Sequence, residues 1–189
     1  MPGILLEHLN RKFGVPEPEA AALLDFFQPV QLKKGAHLLE VGQICMFSAF
    51  VEAGALVYYQ LADGREHACD FAFEQSWVSQ IKSFNYQIPS EVGIKAIEPV
   101  RLQRISRDRM QELLARHPQY HAIRGAIAEE SFLEMNERNL SHGTLSAEER
   151  YLRLMRTRPD VIRRAPQHYI ATYLGILPES LSRIRKRIQ

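Results

Sequence analysis

Glu179, Arg183 and Lys186 stand three or four residues apart near the C-terminus, and Leu181, Ile184 and Ile188 are interleaved with them. At helical spacing the first set points one way and the second the other, giving a polar, cation-rich face backed by an apolar stripe. Such a face can hydrogen-bond and neutralise a polyanion. Upstream, Ile170 and Leu174 lie one turn apart, Gly175 can take the positive φ of a sharp inter-helix turn, and Pro178 suits the first turn of a new helix. Two short amphipathic helices meeting at a glycine form the layout of a helix-turn-helix, whose second helix presents its N-terminal side chains to base edges in the major groove.

Charge runs are often only solvated faces, so the distribution of charge over the chain matters. Residues 145–189 carry 10 Lys and Arg against 4 Asp and Glu, a net of +6, and residues 1–144 carry 14 against 18, a net of −4. The whole-chain net of +2 conceals a basic module on an acidic body, the electrostatic footprint of phosphate contact.

The elements that must position this face follow from the rest of the 189 residues, 46% of them apolar and enough for a sizeable core. No apolar run approaches the length that spans a bilayer, and the first residues lack a signal peptide's pattern, so a cytoplasmic protein without a membrane partner is expected. Cys45 and Cys69 are too few for a disulfide framework or a cysteine-ligated iron–sulfur cluster. Residues 1–28 read as helical, with Leu23, Leu24, Phe26 and Phe27 as core candidates. From Val30 to about Ser106, short apolar runs alternate with Gly35, Gly42, Gly54 and Asp63-Gly64, the texture of an all-β barrel or roll. Trp77 to Tyr86 reads as a short helix. Arg107 to Leu140 is helical again, interrupted at His117-Pro118, and Ile123, Ala126, Ile127 and Leu133 suggest an apolar seam for packing or for a second copy. Ser141-His-Gly143 reads as a break. Ser146-Ala-Glu-Glu149 has capping-box spacing and starts a helix through Met155, ended by Arg158-Pro159.

This order of elements resembles the cyclic-AMP receptor / fumarate–nitrate regulator (Crp/Fnr) family of bacterial transcription factors over nearly the whole chain. Leu32-Lys-Lys-Gly35, Leu38-Leu39 and Gly42-Gln43 are similar to that family's opening roll turn. Phe50-Val-Glu-Ala-Gly54 and Leu61-Ala-Asp-Gly-Arg-Glu66 resemble the next two turns. Ser146-Ala-Glu-Glu-Arg-Tyr151 with Pro166-Gln-His-Tyr-Ile-Ala171 resembles a Bacteroidetes-type branch. The resemblance implies an α+β fold: a cyclic-nucleotide-binding-type β-roll, or double-stranded β-helix, with flanking helices over 1–117, a dimerisation helix over 118–143 and a helix-turn-helix over 144–189. It implies a homodimer reading an inverted repeat in double-stranded DNA, with half-sites roughly 34 Å apart. It also admits RNA polymerase as a partner and a small effector whose identity it leaves open.

Carried over by position, Glu179 and Arg183 match the family's base-contacting acid and arginine; glutamate accepts from cytosine N4, and arginine donates to guanine O6 and N7. Ser180 and Ser182 are candidates for base or phosphate contact, Lys186 and Arg187 for phosphate. Where the family's cyclic-nucleotide pocket uses Gly-Glu for the ribose and Arg-Ser or Arg-Thr for the cyclic phosphate, this chain has Ser79-Gln80 and either Pro89-Ser90 or Ser90-Glu91. No arginine is supplied, so cyclic AMP is not expected to bind in the usual mode. Heme and iron–sulfur sensing lack ligands, and His117 and His121 make a poor metal pair around Pro118. Ending at Gln189, the chain is expected to lack most or all of the family's C-terminal β-hairpin wing.

Two other function classes fit the same residues less well. One is a sensory module whose basic hairpin binds a protein partner. The other is an enzyme on a cupin-like barrel, which needs a metal-ligand cluster; His37 and His67 are the histidines on expected strands, and neither has a neighbouring ligand motif. No catalytic motif appears, so no enzyme is expected.

Overall fold

Gly14 and Pro16 divide the N-terminal helical stretch in two. The computed structural model describes residues 3–188, and for residues 137–139 and 141–143 the backbone alone. Helix α1 (Ile4–Phe13) ends at Gly14, whose φ of 67° closes the helix, and α2 (Glu17–Leu24) follows Pro16. One helix over residues 1–28 was the expectation; a left-handed cap and a proline that cannot continue the first helix make it two.

Eight strands follow: β1 (Gln28–Leu32), β2 (His37–Leu39), β3 (Phe47–Ala53), β4 (Leu56–Ala62), β5 (Arg65–Ala72), β6 (Trp77–Val78), β7 (Gly93–Ala96) and β8 (Val100–Ser106), with helix α3 (Ile81–Tyr86) after β6. They form two antiparallel four-stranded sheets, ordered β1-β8-β3-β6 and β2-β7-β4-β5. Asp63 and Gly64 both have positive φ, 51° and 70°, and join β4 to β5 with Ala62 opposite Arg65. This is the two-residue hairpin that an Asp-Gly pair favours. Trp77 and Val78 do not begin the helix expected there. They pair with Phe50 and Ala49 of β3, and α3 starts at Ile81, capped by the Gln80 side chain, which accepts from the Ser83 amide at 2.8 Å.

Alternation along β3 sorts its side chains between two cores. Ala49 and Val51 face inward with Leu56, Ile94 and Leu102, whereas Phe50 packs with Leu5, Leu9, Ile105 and Leu113 beneath the flanking helices. Beyond β8 run α4 (Arg107–Arg116), α5 (Tyr120–Thr144), α6 (Ala147–Thr157), α7 (Pro159–Arg164), α8 (Gln167–Tyr173) and α9 (Pro178–Ile188). Helix α5 continues through the Ser141–Gly143 tripeptide where a break was expected. A glycine inside a helix costs only about 1 kcal/mol, too little to end it. The Ser146 capping box forms: Ser146 accepts from the Glu149 amide at 3.3 Å, and its own amide donates to Glu149 at 2.8 Å. Helix α6 extends to Thr157, and Arg158-Pro159 opens α7 rather than a loop. The expectation about a wing concerns chain beyond Ile188, outside the described residues.

The C-terminal helices share a core with the roll. Tyr151, Leu154, Val161, Ile170, Leu181 and Ile184 form one buried cluster with Val57, Phe71 and Ile97 of the β-sheet face. Strand β5 is the edge of its sheet, and α8 covers it: the Ala68 amide donates to Thr172 Oγ1 at 3.0 Å. An edge strand so covered is no longer a template for pairing with another chain.

Candidate nucleic-acid interface

The turn between α8 and α9 is built on Gly175. Its φ is 67°, its amide donates to the Thr172 carbonyl at 3.0 Å, and the Ile176 amide reaches back to the Ala171 carbonyl at 3.0 Å. This pair of bonds satisfies two carbonyls that the helix end would leave unpaired, and only a residue without Cβ takes that φ without strain. Chain direction reverses sharply, and α9 is then seated by Leu181 and Ile184, 1% and 4% exposed.

Opposite those anchors, Glu179, Ser182, Arg183, Lys186 and Arg187 are exposed, and Ser180 is half-buried. The structure therefore brings all six predicted interface residues onto one short helix. Two of them have local partners: Arg183 Nη2 donates to Ser180 Oγ at 3.3 Å, and Arg187 Nη2 lies 3.1 Å from Glu148 Oε2 at the start of α6. Glu179, in the first turn, sits where an acid complements the helix dipole.

Charge counting overstated the supply of cations for DNA. Arg150 of α6 donates to the Leu174 and Leu145 carbonyls. Arg158 Nη1 pairs with Asp70 Oδ1 at 2.6 Å and donates to the Tyr173 hydroxyl at 3.1 Å. Arg164 is chelated by Glu74, at 2.7 and 2.8 Å, and by Glu98, at 2.6 Å. Three of the ten cations thus hold the fold together. No spacing rule could have shown this, because the carboxylates lie 66 or more residues away.

A second concavity of about 1630 Å³ lies between the roll, α5 and the C-terminal helices. Ser79 and Gln80 are on its wall; Pro89, Ser90 and Glu91 are not. The polar groups here serve the backbone. Ser79 Oγ donates to the Phe47 carbonyl at 2.9 Å, Gln80 caps α3, Ser83 Oγ donates to the Ile88 carbonyl at 2.6 Å, and buried Ser90 donates to the Val92 carbonyl at 2.7 Å. Glu91 is exposed, 4.0 Å from Lys82. Burial pushes the Tyr58 hydroxyl, also on this wall, well above its ordinary range. Lys95 is committed to Glu66 at 2.8 Å and is not on the wall.

The four α5 residues read as one seam separate into two. Ile123 and Ile127 line the cavity, whereas Ala126 and Leu133 do not. At about 100° per residue, Ala126, Leu133 and Leu140 repeat every seven residues on the side away from it. Leu133 and Leu140 are 54% and 61% exposed. Among the described residues, no group of three His, Cys, Asp or Glu side chains is placed to hold a metal ion, and no helix is long and apolar enough to cross a membrane.

No protein-family model matches the chain, and no curated protein matches it. Solved structures do. FixK2 from Bradyrhizobium japonicum superposes with a TM-score of 0.73 at 16% identity, over 86% of this chain and 84% of that one. CLP, the c-di-GMP-responsive global regulator that links cell–cell signalling to virulence gene expression in Xanthomonas campestris, gives 0.70 at 18%, over 89% of each chain. The Thermus thermophilus catabolite activator protein gives 0.60 at 18%, over 96% of this chain and 86% of that one. These likenesses establish the fold: a cyclic-nucleotide-binding-type roll followed by a helical C-terminal unit, as in Crp/Fnr-type regulators.

Proposed function

We propose that this chain is a sequence-specific DNA-binding transcription regulator of the Crp/Fnr type, reading an inverted repeat as a homodimer. One observation carries the reading. Helix α9 turns Glu179, Ser182, Arg183 and Lys186 outward, while Leu181 and Ile184 fix it to the body behind a glycine turn. Rigid seating of an exposed Glu/Arg pair is what direct readout of base edges requires. Likeness in fold to a global regulator of gene expression supports it.

In this reading Ala126, Leu133 and Leu140 form the dimer seam, and Ile123 and Ile127 support the sensor cavity. The cavity takes no cyclic AMP in the usual mode: its wall residues Ser79 and Gln80 are engaged with the backbone, and the roll offers no arginine where a cyclic phosphate would sit. A buried phosphate without a fixed cation would be strongly disfavoured.

The test is selection of binding sites from a random duplex DNA pool with the purified chain, its mass in solution measured alongside. A dimer recovering an inverted repeat supports the reading. A chain that recovers no motif, yet retains a stoichiometric protein partner, would show that the basic face serves a protein instead.

A further inference from the structure

The interface between the C-terminal helices and the roll has a charge pattern of its own. Along the β5 edge and the loops beside it, the roll presents Glu66, Asp70, Glu74 and Glu98 to the basic module. Arg158 takes Asp70 with Nη1 at 2.6 Å and the Phe71 carbonyl with Nη2 at 2.7 Å. Arg164 forks onto Glu74 with both terminal nitrogens and takes Glu98 at 2.6 Å. The Tyr169 hydroxyl of α8 donates to Glu66, which Lys95 also holds at 2.8 Å. Paired carboxylate oxygens facing a guanidinium fork present the same acceptor geometry as a DNA phosphate.

We propose that this acidic edge is an intramolecular competitor for DNA: its carboxylates occupy Arg158 and Arg164 and hold the reading head against the roll, and duplex DNA must displace that contact. The inference rests on the DNA-reader assignment above. Both arginines belong to the net-positive module, and in the docked arrangement the module approaches a polyanion with four carboxylates beside it. Freed from the edge, Arg158 and Arg164 gain phosphate partners and the carboxylates move away from the DNA, so DNA favours the undocked arrangement. The pairs are suited to exchange. Their side chains keep 25–38% exposure, so water and salt reach them and the contact is weak enough to open. Asp70, Phe71, Arg158 and Tyr173 also form part of the cavity wall, which gives any occupant of the cavity direct access to the contact.

The test uses the full chain with Asp70→Asn, Glu74→Gln and Glu98→Gln together. Removing the competitor is expected to tighten duplex DNA binding by roughly 5- to 150-fold, the usual range of coupling between sites. Each arginine that joins a phosphate adds about 0.9 to the log–log salt slope, so the slope should steepen by up to about 1.8. Amides of α8 should exchange faster with solvent. Arg164→Gln is the second variant: it opens the contact but removes a phosphate donor, so it should speed α8 exchange with a smaller gain in slope than the triple variant. Affinity no better than wild type, with α8 protection intact in both variants, overturns the proposal. Should neither wild type nor variant bind any duplex, the regulator reading fails, and α8 exchange alone decides whether the acidic edge holds the head.

Discussion

Arg150 of α6 clasps the carbonyl of Leu174, the last residue of α8, with two nitrogens at once, Nε at 3.2 Å and Nη2 at 2.9 Å. Its third nitrogen, Nη1, donates to the Leu145 carbonyl at 2.6 Å. One guanidinium therefore ties the end of the linker after α5 to the turn that aims α9. Arg150→Lys keeps the charge and loses the fork. It should lower stability by about 1.5–3 kcal/mol, the range for hydrogen bonds to charged groups, read as a fall in the midpoint of denaturant unfolding.

Arg183 and Lys186 share a face but differ in expected role. Arg183→Ala should cost about 1–3 kcal/mol on the selected operator and relax preference at one position per half-site. Lys186→Ala should weaken all sequences alike and reduce the salt slope by about one. Titration of operator and scrambled duplexes separates the two. Equal losses on both duplexes for Arg183→Ala would make that residue a phosphate contact.

The α5 seam predicts a clean contrast between two leucine-sized positions on opposite sides. Leu133→Asp should turn the dimer into a monomer, because a charge on an apolar seam is left without a partner. Met135→Asp, on the cavity side, should leave the assembly state unchanged. Light scattering of both variants checks it.

Glu74 sets an acid limit. The Arg164 guanidinium hydrogen-bonded to it holds its carboxyl down at about 2, against an ordinary 4.5. A carboxylate with a depressed pKa in the folded state contributes stability that is complete above the unfolded value and lost as pH falls toward the folded one. Melting temperature should therefore drop between pH 4.5 and 2 more steeply in wild type than in Glu74→Gln. Parallel curves would remove Glu74 from the acid response.

Gly54 has a φ of +93°, and a Cβ there would stand 2.2 Å from the Pro99 carbonyl oxygen and 2.9 Å from Val100 Cα. Backbone cannot swing aside as a side chain can. Gly54→Ala should destabilise the roll by about 1–3 kcal/mol through overpacking, plus the strain of its φ. It should also disturb the 2.8 Å bond from the Gly54 amide to Glu74. Thermal unfolding measures the loss.

Much of this molecule was readable from short-range pattern. Asp63-Gly64 announced a hairpin, Ser146 to Glu149 a capping box, and Gly175 with Pro178 a helix-turn-helix, because each depends on backbone preferences within a few residues. The outward face of α9 was equally legible, since helical period alone separates Arg183 from Leu181 and Ile184. Where local signals competed, reading failed: Trp77-Val78 lies beside a helix start but is drawn into pairing with β3, and Gly143 does not end α5.

Sequence by itself determined the elements, the basic character of the C-terminal module and the residues its last helix turns outward, all set by periodicity and φ preference. Tertiary structure alone decided which cations remain available to a polyanion. Arg150, Arg158 and Arg164 are indistinguishable from Arg183 by type and spacing. Folding brings carbonyls or distant carboxylates within about 3 Å of the first three. A charge's role is fixed by the partner that packing delivers to it, and that partner's distance along the chain leaves no trace in local pattern.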